Sequence, residues 1–391
     1  MKQGVPLRDT ARMSAYFALF AAGMSAYVSF VTLWQHDIGY SGMRIGMLSA
    51  ASALVAVVAQ PGLSALADRS RSKNRVLRFM LLTQAAAAFL HMAPGHWAYV
   101  LGVMCLLTAF QSAALALSNA VILDSLEARG QPGRFGFIRL SYSWGFAAAG
   151  LAAGWVASFG PVLVFALCGA VNLAAFAASF LLPKVPGYQR DSGRRLGLKE
   201  LFQYREFMGL ALYSLAVHIT NSLSVAFLPV WFGILGAPGW AYGIGIFVMA
   251  AAETPFLLVS GRLIERFGIR KLMLVPALAF TIRWLLTSQV TAWWQLLPLY
   301  ALHGAGVIVL YVGLSRYVAD FLPRELSASG QGAVNSLVIS ASRVAGALLG
   351  GVLITWLGIR ETFLVMAGVA AVAGVGLFFF RKGSAKEKPA K

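Results

Sequence analysis

Charged residues make up only 12% of this 391-residue chain, and acids are scarcest, with 14 Asp and Glu against 32 Lys and Arg. So few charges cannot wrap in water an interior to which the hydrophobic class contributes 59% of residues, at a mean hydropathy of +0.73. A soluble globular protein is excluded, and the solvent of most of the chain is lipid. Cysteine is nearly absent. Cys105 and Cys168 both lie in apolar stretches, which leaves neither a disulfide framework nor a cysteine zinc site. A His/Cys metal cluster, a nucleotide-binding glycine loop and a nucleophile elbow are missing as well. The sequence therefore points away from an enzyme and from any metal or cofactor. Only 183–206 is a long polar stretch, and no small-residue cleavage pattern follows the basic N-terminal segment, so no signal peptide is expected.

What is present is an internal repeat. Trp34, Gly39, Gly46, Asp68 and Arg69 return 197 residues later as Trp231, Gly236, Gly243, Glu265 and Arg266. The intervening segments are apolar and contain most of the 40 glycines, small residues that let membrane helices approach closely. Twelve apolar runs are each long enough to cross a bilayer as a helix of roughly 20 residues. They fall near 14–34, 43–66, 76–92, 97–123, 137–158, 161–182, 207–233, 241–264, 272–289, 293–319, 329–356 and 361–380. Turns at Gly160-Pro161 and Gly358 divide the close pairs. The fold class expected is an all-α membrane protein, twelve transmembrane helices in two pseudo-symmetric six-helix bundles, a pattern of transporters with a central site.

Charge placement orients the chain. In the twelve-span reading, 27 of the 32 Lys and Arg fall on one side and only Arg44 and Arg360 on the other. This bias places both termini and the central stretch in the cytoplasm, as in a multi-pass protein of a bacterial-type cytoplasmic (inner) membrane. The formal charge of +18 is accounted for by this bias and by attraction to anionic lipid, so no nucleic-acid partner is expected. The domains read as 1–182, an N-terminal bundle; 183–206, a cytoplasmic linker with a short surface helix over 196–202; 207–380, a C-terminal bundle; and 381–391, a basic tail.

The junction after span 8 runs Gly261-Arg262-Leu263-Ile264-Glu265-Arg266-Phe267-Gly268-Ile269-Arg270-Lys271. It resembles the cytoplasmic loop signature of the major facilitator superfamily. The first-half copy, Ser64 to Lys73, keeps Asp68-Arg69, with Ser64 and Arg71 where glycines are expected. The resemblance implies a gating role for Asp68, Arg69, Gly261, Glu265, Arg266 and Gly268. A narrower similarity covers most of the chain. Phe135-Gly136-Phe137-Ile138-Arg139-Leu140 and Trp144-Gly145-Phe146 resemble the start of span 5 in the lactose permease and phenylpropionate permease group of proton symporters. Glu253, Arg283-Trp284 and Leu302-His303-Gly304 match that group in spans 8, 9 and 10, and the phenylpropionate branch fits better than the sugar branch.

A charge within a bilayer costs about 2.5–3.5 kcal/mol on insertion scales, so intramembrane charges are functional candidates. The set is Arg139, Glu253, Arg283 and Arg343, with His218 and His303, and Glu253 is the only acid deep in a span. The resemblance implies that Arg139 and Glu253 meet at a central cavity, where a substrate bonded to both would link binding to rocking. A structural ion pair is the alternative. The sugar permease has its proton-site acid one turn after the histidine, where this chain has Gly306, which makes Glu253 the leading proton carrier, with His303 as a second candidate. Asn119 stands where the group has an acid, and Phe146, two turns from Arg139 on one helix face, where the sugar permease has Trp. Tyr27, Asn221, Ser222 and, more weakly, Gln111 are further cavity candidates by position.

These readings lead to a proton-coupled importer of a small organic solute, with substrate, proton and lipid bilayer as its partners and the monomer as the working unit. The excess of arginine over acid favours an organic anion, an aromatic or siderophore-like carboxylate, since the guanidinium fork suits a carboxylate. The alternatives are a sugar or nucleoside symporter, a multidrug-type proton antiporter and a membrane sensor. Multidrug exporters often carry a Gly-Pro pair inside span 5, but no proline occurs from Gly145 to Gly154.

Overall fold

Within lipid a backbone must satisfy its own hydrogen bonds, and a chain of apolar runs does so by forming helices. In a computed structural model, which describes residues 7–93, 96–131, 134–185, 203–322 and 334–383, helices dominate and no strand occurs among the described residues. In chain order they are α1 (Leu7–Asp37), α2 (Gly42–Arg69), α3 (Lys73–Leu90), α4 (Trp97–Glu127), α5 (Phe135–Ala157), α6 (Leu163–Ala178), α7 (Arg205–Ile234), α8 (Gly239–Phe267), α9 (Leu274–Ser288), α10 (Val309–Phe321), α11 (Ala341–Leu357) and α12 (Ile359–Gly383). Shorter pieces extend four of these: Ser179–Leu181 after α6, Ile269–Leu272 before α9, Trp293–Gln295, Leu296–Leu299 and a π-helical Gly304–Ile308 before α10, and a π-helical Val334–Ser340 before α11. Helix thus occurs in the described part of every stretch of the twelve-span reading. Eight helices among the described residues are long and apolar enough to cross a membrane. The expected surface helix over 196–202 and the basic tail from 384 onward lie outside the described residues.

The chain divides into two compact units that do not follow the sequence halves. Unit 1 comprises Met1–Gly39, Ala51–Arg190 and Ala237–Ala250; unit 2 comprises Tyr40–Ala50, Asp191–Gly236 and Ala251–Lys391. The first part of α2 therefore packs in unit 2, and the first part of α8 in unit 1.

The repeated landmarks do the same work in both copies. Gly39 and Gly236 turn the chain after α1 and α7 with φ of +87° and +67°, a region that disfavours side chains. Gly46 and Gly243 are close-approach glycines. A Cβ on Gly46 would lie 2.5 Å from the Ala347 carbonyl oxygen and 2.9 Å from the Gly351 Cα. One on Gly243 would lie 2.5 Å from the Gly150 carbonyl oxygen, and one on Gly154 would lie 3.1 Å from the Gly243 Cα. Gly150 and Gly154 precede Ala347 and Gly351 by the same 197-residue offset, so the α2–α11 and α8–α5 crossings are copies.

The signature expected in a loop is largely helical. Gly261 to Phe267 complete α8, Gly268 makes the turn with φ +76°, and Ile269 starts the next helical piece. Arg69, Glu265 and Arg266 are exposed, and Arg266 sits over the Phe267 ring. The side chain of Asp68 lies outside the described part of the structure. Ion pairs form nearby: Lys73–Asp124 at 2.8 Å and Arg129–Asp9 at 2.9 Å in unit 1, and Arg270 with Glu206 in unit 2.

Candidate functional site

In unit 2 three of the expected residues form one chain of bonds. The Glu253 Oε1 on α8 lies 3.3 Å from His303 Nε2, and His303 Nδ1 lies 3.0 Å from the Arg283 guanidinium of α9. Two glycines beside His303 make this approach possible. A Cβ at Gly304 would meet the Ala252 carbonyl oxygen at 2.3 Å, so α8 comes against the chain one residue before Glu253. A Cβ at Gly306 would meet the Phe280 ring at 2.3 Å, which brings α9 close three residues before Arg283. Gly306 thus makes a close helix contact. The π-helical Gly304–Ile308 begins directly after His303, the kind of local irregularity that concentrates at functional positions. Pro255, two residues beyond Glu253, removes an α8 backbone donor at the same level.

Arg283 is buried, and its charge is met on other sides by rings. Its guanidinium carbon lies 4.6 Å from the Trp284 ring centre and 5.1 Å from that of Tyr300. The Trp284 indole stacks on Phe280 and donates to the Thr220 hydroxyl at 3.0 Å, tying α9 to α7. His218 lies on α7 within electrostatic range of His303 and Arg343, and Arg343 itself is exposed. Ser222 meets Ser342 at 3.2 Å, while the Asn221 Oδ1 is buried without a partner among the described residues.

Arg139 belongs to unit 1, so each member of the expected Arg139–Glu253 pair has its own surroundings within its unit. The Arg139 guanidinium carbon lies 4.1 Å from the Tyr142 ring centre and 5.8 Å from that of Phe17. Tyr142 stacks toward Phe146 with centroids 6.5 Å apart and also meets Phe17 at 5.0 Å. Arg139, Tyr142 and Phe146 follow the i, i+3, i+7 spacing of one helix face, a signal that could have found Tyr142 beforehand. Phe17 on α1 had no such signal.

Asn119 on α4 is half-buried and its Oδ1 lacks a partner among the described residues, as does the Gln111 Nε2. Its neighbour Ser118 instead bonds the Tyr16 hydroxyl at 2.7 Å. Tyr27 departs from its expected cavity role. It is 1% exposed, its hydroxyl meets His91 Nε2 at 3.4 Å, and its ring packs on His91 and Phe165. That environment is helix packing among α1, α6 and the end of α3.

Long apolar helices, buried polar groups at their middles and a repeated half define a multi-pass membrane transporter. The chain belongs to the MFS_1 like family, whose model matches residues 11–365, and carries the major facilitator fold. It is 25% identical to a maltose permease of Geobacillus stearothermophilus over 96% of this chain and 94% of that one. It is 23% identical to a probable 3-phenylpropionic acid transporter of Escherichia coli (strain K12), over 92% and 94%. The crystal structure of nucleoside transporter NupG superposes with a TM-score of 0.83 at 17% identity, covering 97% of this chain and 99% of that one.

Proposed function

We propose that the protein is a proton-coupled importer of a small organic anion, working by alternating access as a monomer in a bacterial-type cytoplasmic membrane with both termini cytoplasmic. The observation that carries the coupling is the Glu253–His303–Arg283 chain. It joins the one acid deep in a span to the one arginine buried among the described residues, through an imidazole, on three separate helical segments of unit 2. An intramembrane acid held this way is suited to gain and lose a proton as the site changes partners. Arg139 supports an anionic substrate: it rests on aromatic faces, and no carboxylate lies within 4.0 Å of it among the described residues of its unit. Rings are weak partners that a carboxylate can replace with two charge-assisted hydrogen bonds, leaving Tyr142 and Phe146 to stack on an aromatic group.

A sugar or nucleoside symporter is the second reading. The unpartnered amide atoms of Gln111, Asn119 and Asn221 favour it, because such groups suit a hydroxyl-rich neutral solute. Maltose permease and the nucleoside transporter NupG stand on that side as well. Uptake into proteoliposomes under an imposed proton gradient separates these readings, using 3-phenylpropionate, its amide, maltose and a nucleoside as solutes. Gradient-driven accumulation of the acid, with the amide excluded, is expected. Equal handling of acid and amide, or accumulation of the neutral solutes alone, would remove the anion reading. Glu253→Gln is expected to abolish accumulation while sparing exchange, and full accumulation by that variant would remove Glu253 from coupling.

A further inference from the structure

We propose that Arg283 is a positioning residue that acts through His303: it holds the imidazole as the Nε2–H tautomer, so that His303 bridges to Glu253 without carrying the proton itself. This rests on the coupling reading above for its consequence in transport, but not for its geometry. A guanidinium has donors and no acceptor, so the nitrogen that Arg283 meets at 3.0 Å must be bare. The one proton of a neutral imidazole then sits on Nε2, which faces Glu253 Oε1 at 3.3 Å. Arg283 thereby sets the direction of the second bond, as a group bonded to one ring nitrogen fixes the role of the other.

Proton placement follows from the same bonds. A proton arriving at His303 has only Nδ1 to take, and it would displace Arg283 and set two cations side by side. A proton arriving at Glu253 settles on Oε2, turns the carboxylate into a neutral acid and leaves both bonds of His303 in place. Access favours the same atom, since the Glu253 side chain is 20% exposed and that of His303 is 7%. The other groups bearing on the imidazole work in the same sense: His218 of α7 lies within range of it, and Arg343 of α11 within range of His218. Arg343 is positively charged throughout, and His218 adds positive charge when protonated. On the turn after His303 the chain has Gly306, against which the Phe280 ring packs.

The test reads the imidazole directly. The full chain, with its five histidines labelled with nitrogen-15, is placed in lipid nanodiscs and titrated with protons across about pH 5 to 8, the range in which an ordinary histidine changes charge. His303→Gln assigns the resonances. The expected result is a single His303 species protonated at Nε2 throughout, with Arg283→Gln releasing it to a mixture of tautomers and Arg283→Lys retaining it. An imidazolium within that range, an Nδ1–H tautomer, or a His303 spectrum that Arg283→Gln leaves unchanged would each overturn the proposal. In proteoliposomes carrying a transported solute, His303→Gln should lose less gradient-driven accumulation than His303→Leu, because a side-chain amide can accept from Arg283 and donate to Glu253 and a leucine can do neither. Equal loss in the Gln and Leu variants would overturn the proposal. A failure of Glu253→Gln to affect transport would instead count against the coupling reading alone.

Discussion

Gly46→Ala adds one methyl group at a place with no room for it. The new Cβ would stand 2.5 Å from the Ala347 carbonyl oxygen and 2.9 Å from the Gly351 Cα, both backbone atoms that no rotamer change can move. Ordinary carbon contacts begin near 3.4 Å, so α2 and α11 must separate by about 1 Å, which forfeits much of the dispersion attraction along the crossing. Overpacking of this kind costs about 1–3 kcal/mol, and that range corresponds to a roughly 5- to 150-fold loss in the population of the packed arrangement. A cysteine placed at Ile354, whose side chain would lie 3.2 Å from a Cβ on Gly42, reports on it in a background with Cys105 replaced. Its maleimide labelling rate should rise in Gly46→Ala by a factor within that range. Gly243→Ala should open the α8–α5 crossing equally, read from a cysteine at Leu151. Gly62 and Gly102 are the controls, since a Cβ there meets nothing within 4 Å. Labelling in Gly46→Ala no faster than in Gly62→Ala would refute the claim that these glycines set the helix approach.

Gly39→Ala, at φ +87° with open space around the site, should lower stability by about 1–2 kcal/mol through backbone strain alone, and thermal unfolding should show Gly39→Asn costing less. Arg139→Gln should weaken binding of an organic carboxylate by about 1.5–3 kcal/mol while leaving its amide unaffected, as isothermal titration with the matched pair would measure. Glu206→Gln removes the carboxylate partner of Arg270; Glu206 is only 11% exposed, but Arg270 is 38% exposed, so water can solvate the guanidinium left behind and thermal unfolding should show a loss of no more than about 1 kcal/mol. A cysteine at Arg190 should resist a membrane-impermeant maleimide applied to intact cells if the central stretch is cytoplasmic, and robust labelling would overturn that orientation.

The helical spans were legible because apolar length and the need to satisfy the backbone within lipid are local properties of the chain. The repeat was legible for a related reason: the positions it preserves, such as Gly39 and Gly236, answer to turn geometry that a residue type alone can reveal. The resemblance to known transporters singled out Glu253, Arg283 and His303, but did not say which would touch. Their union depends on Gly304 and Gly306 admitting α8 and α9 to the same stretch of chain, and that is a matter of which distant backbones meet. The same holds for Arg139, whose neighbour Tyr142 lay on a readable helix face while Phe17 came from another helix altogether. Tyr27 looked like a cavity residue by position, yet packing around His91 and Phe165 claimed it. The exchange of Tyr40–Ala50 and Ala237–Ala250 between the two units had no signature in composition or period. It depends on close contacts between small residues far apart in the chain, where the absence of a Cβ matters only once the facing backbone is known.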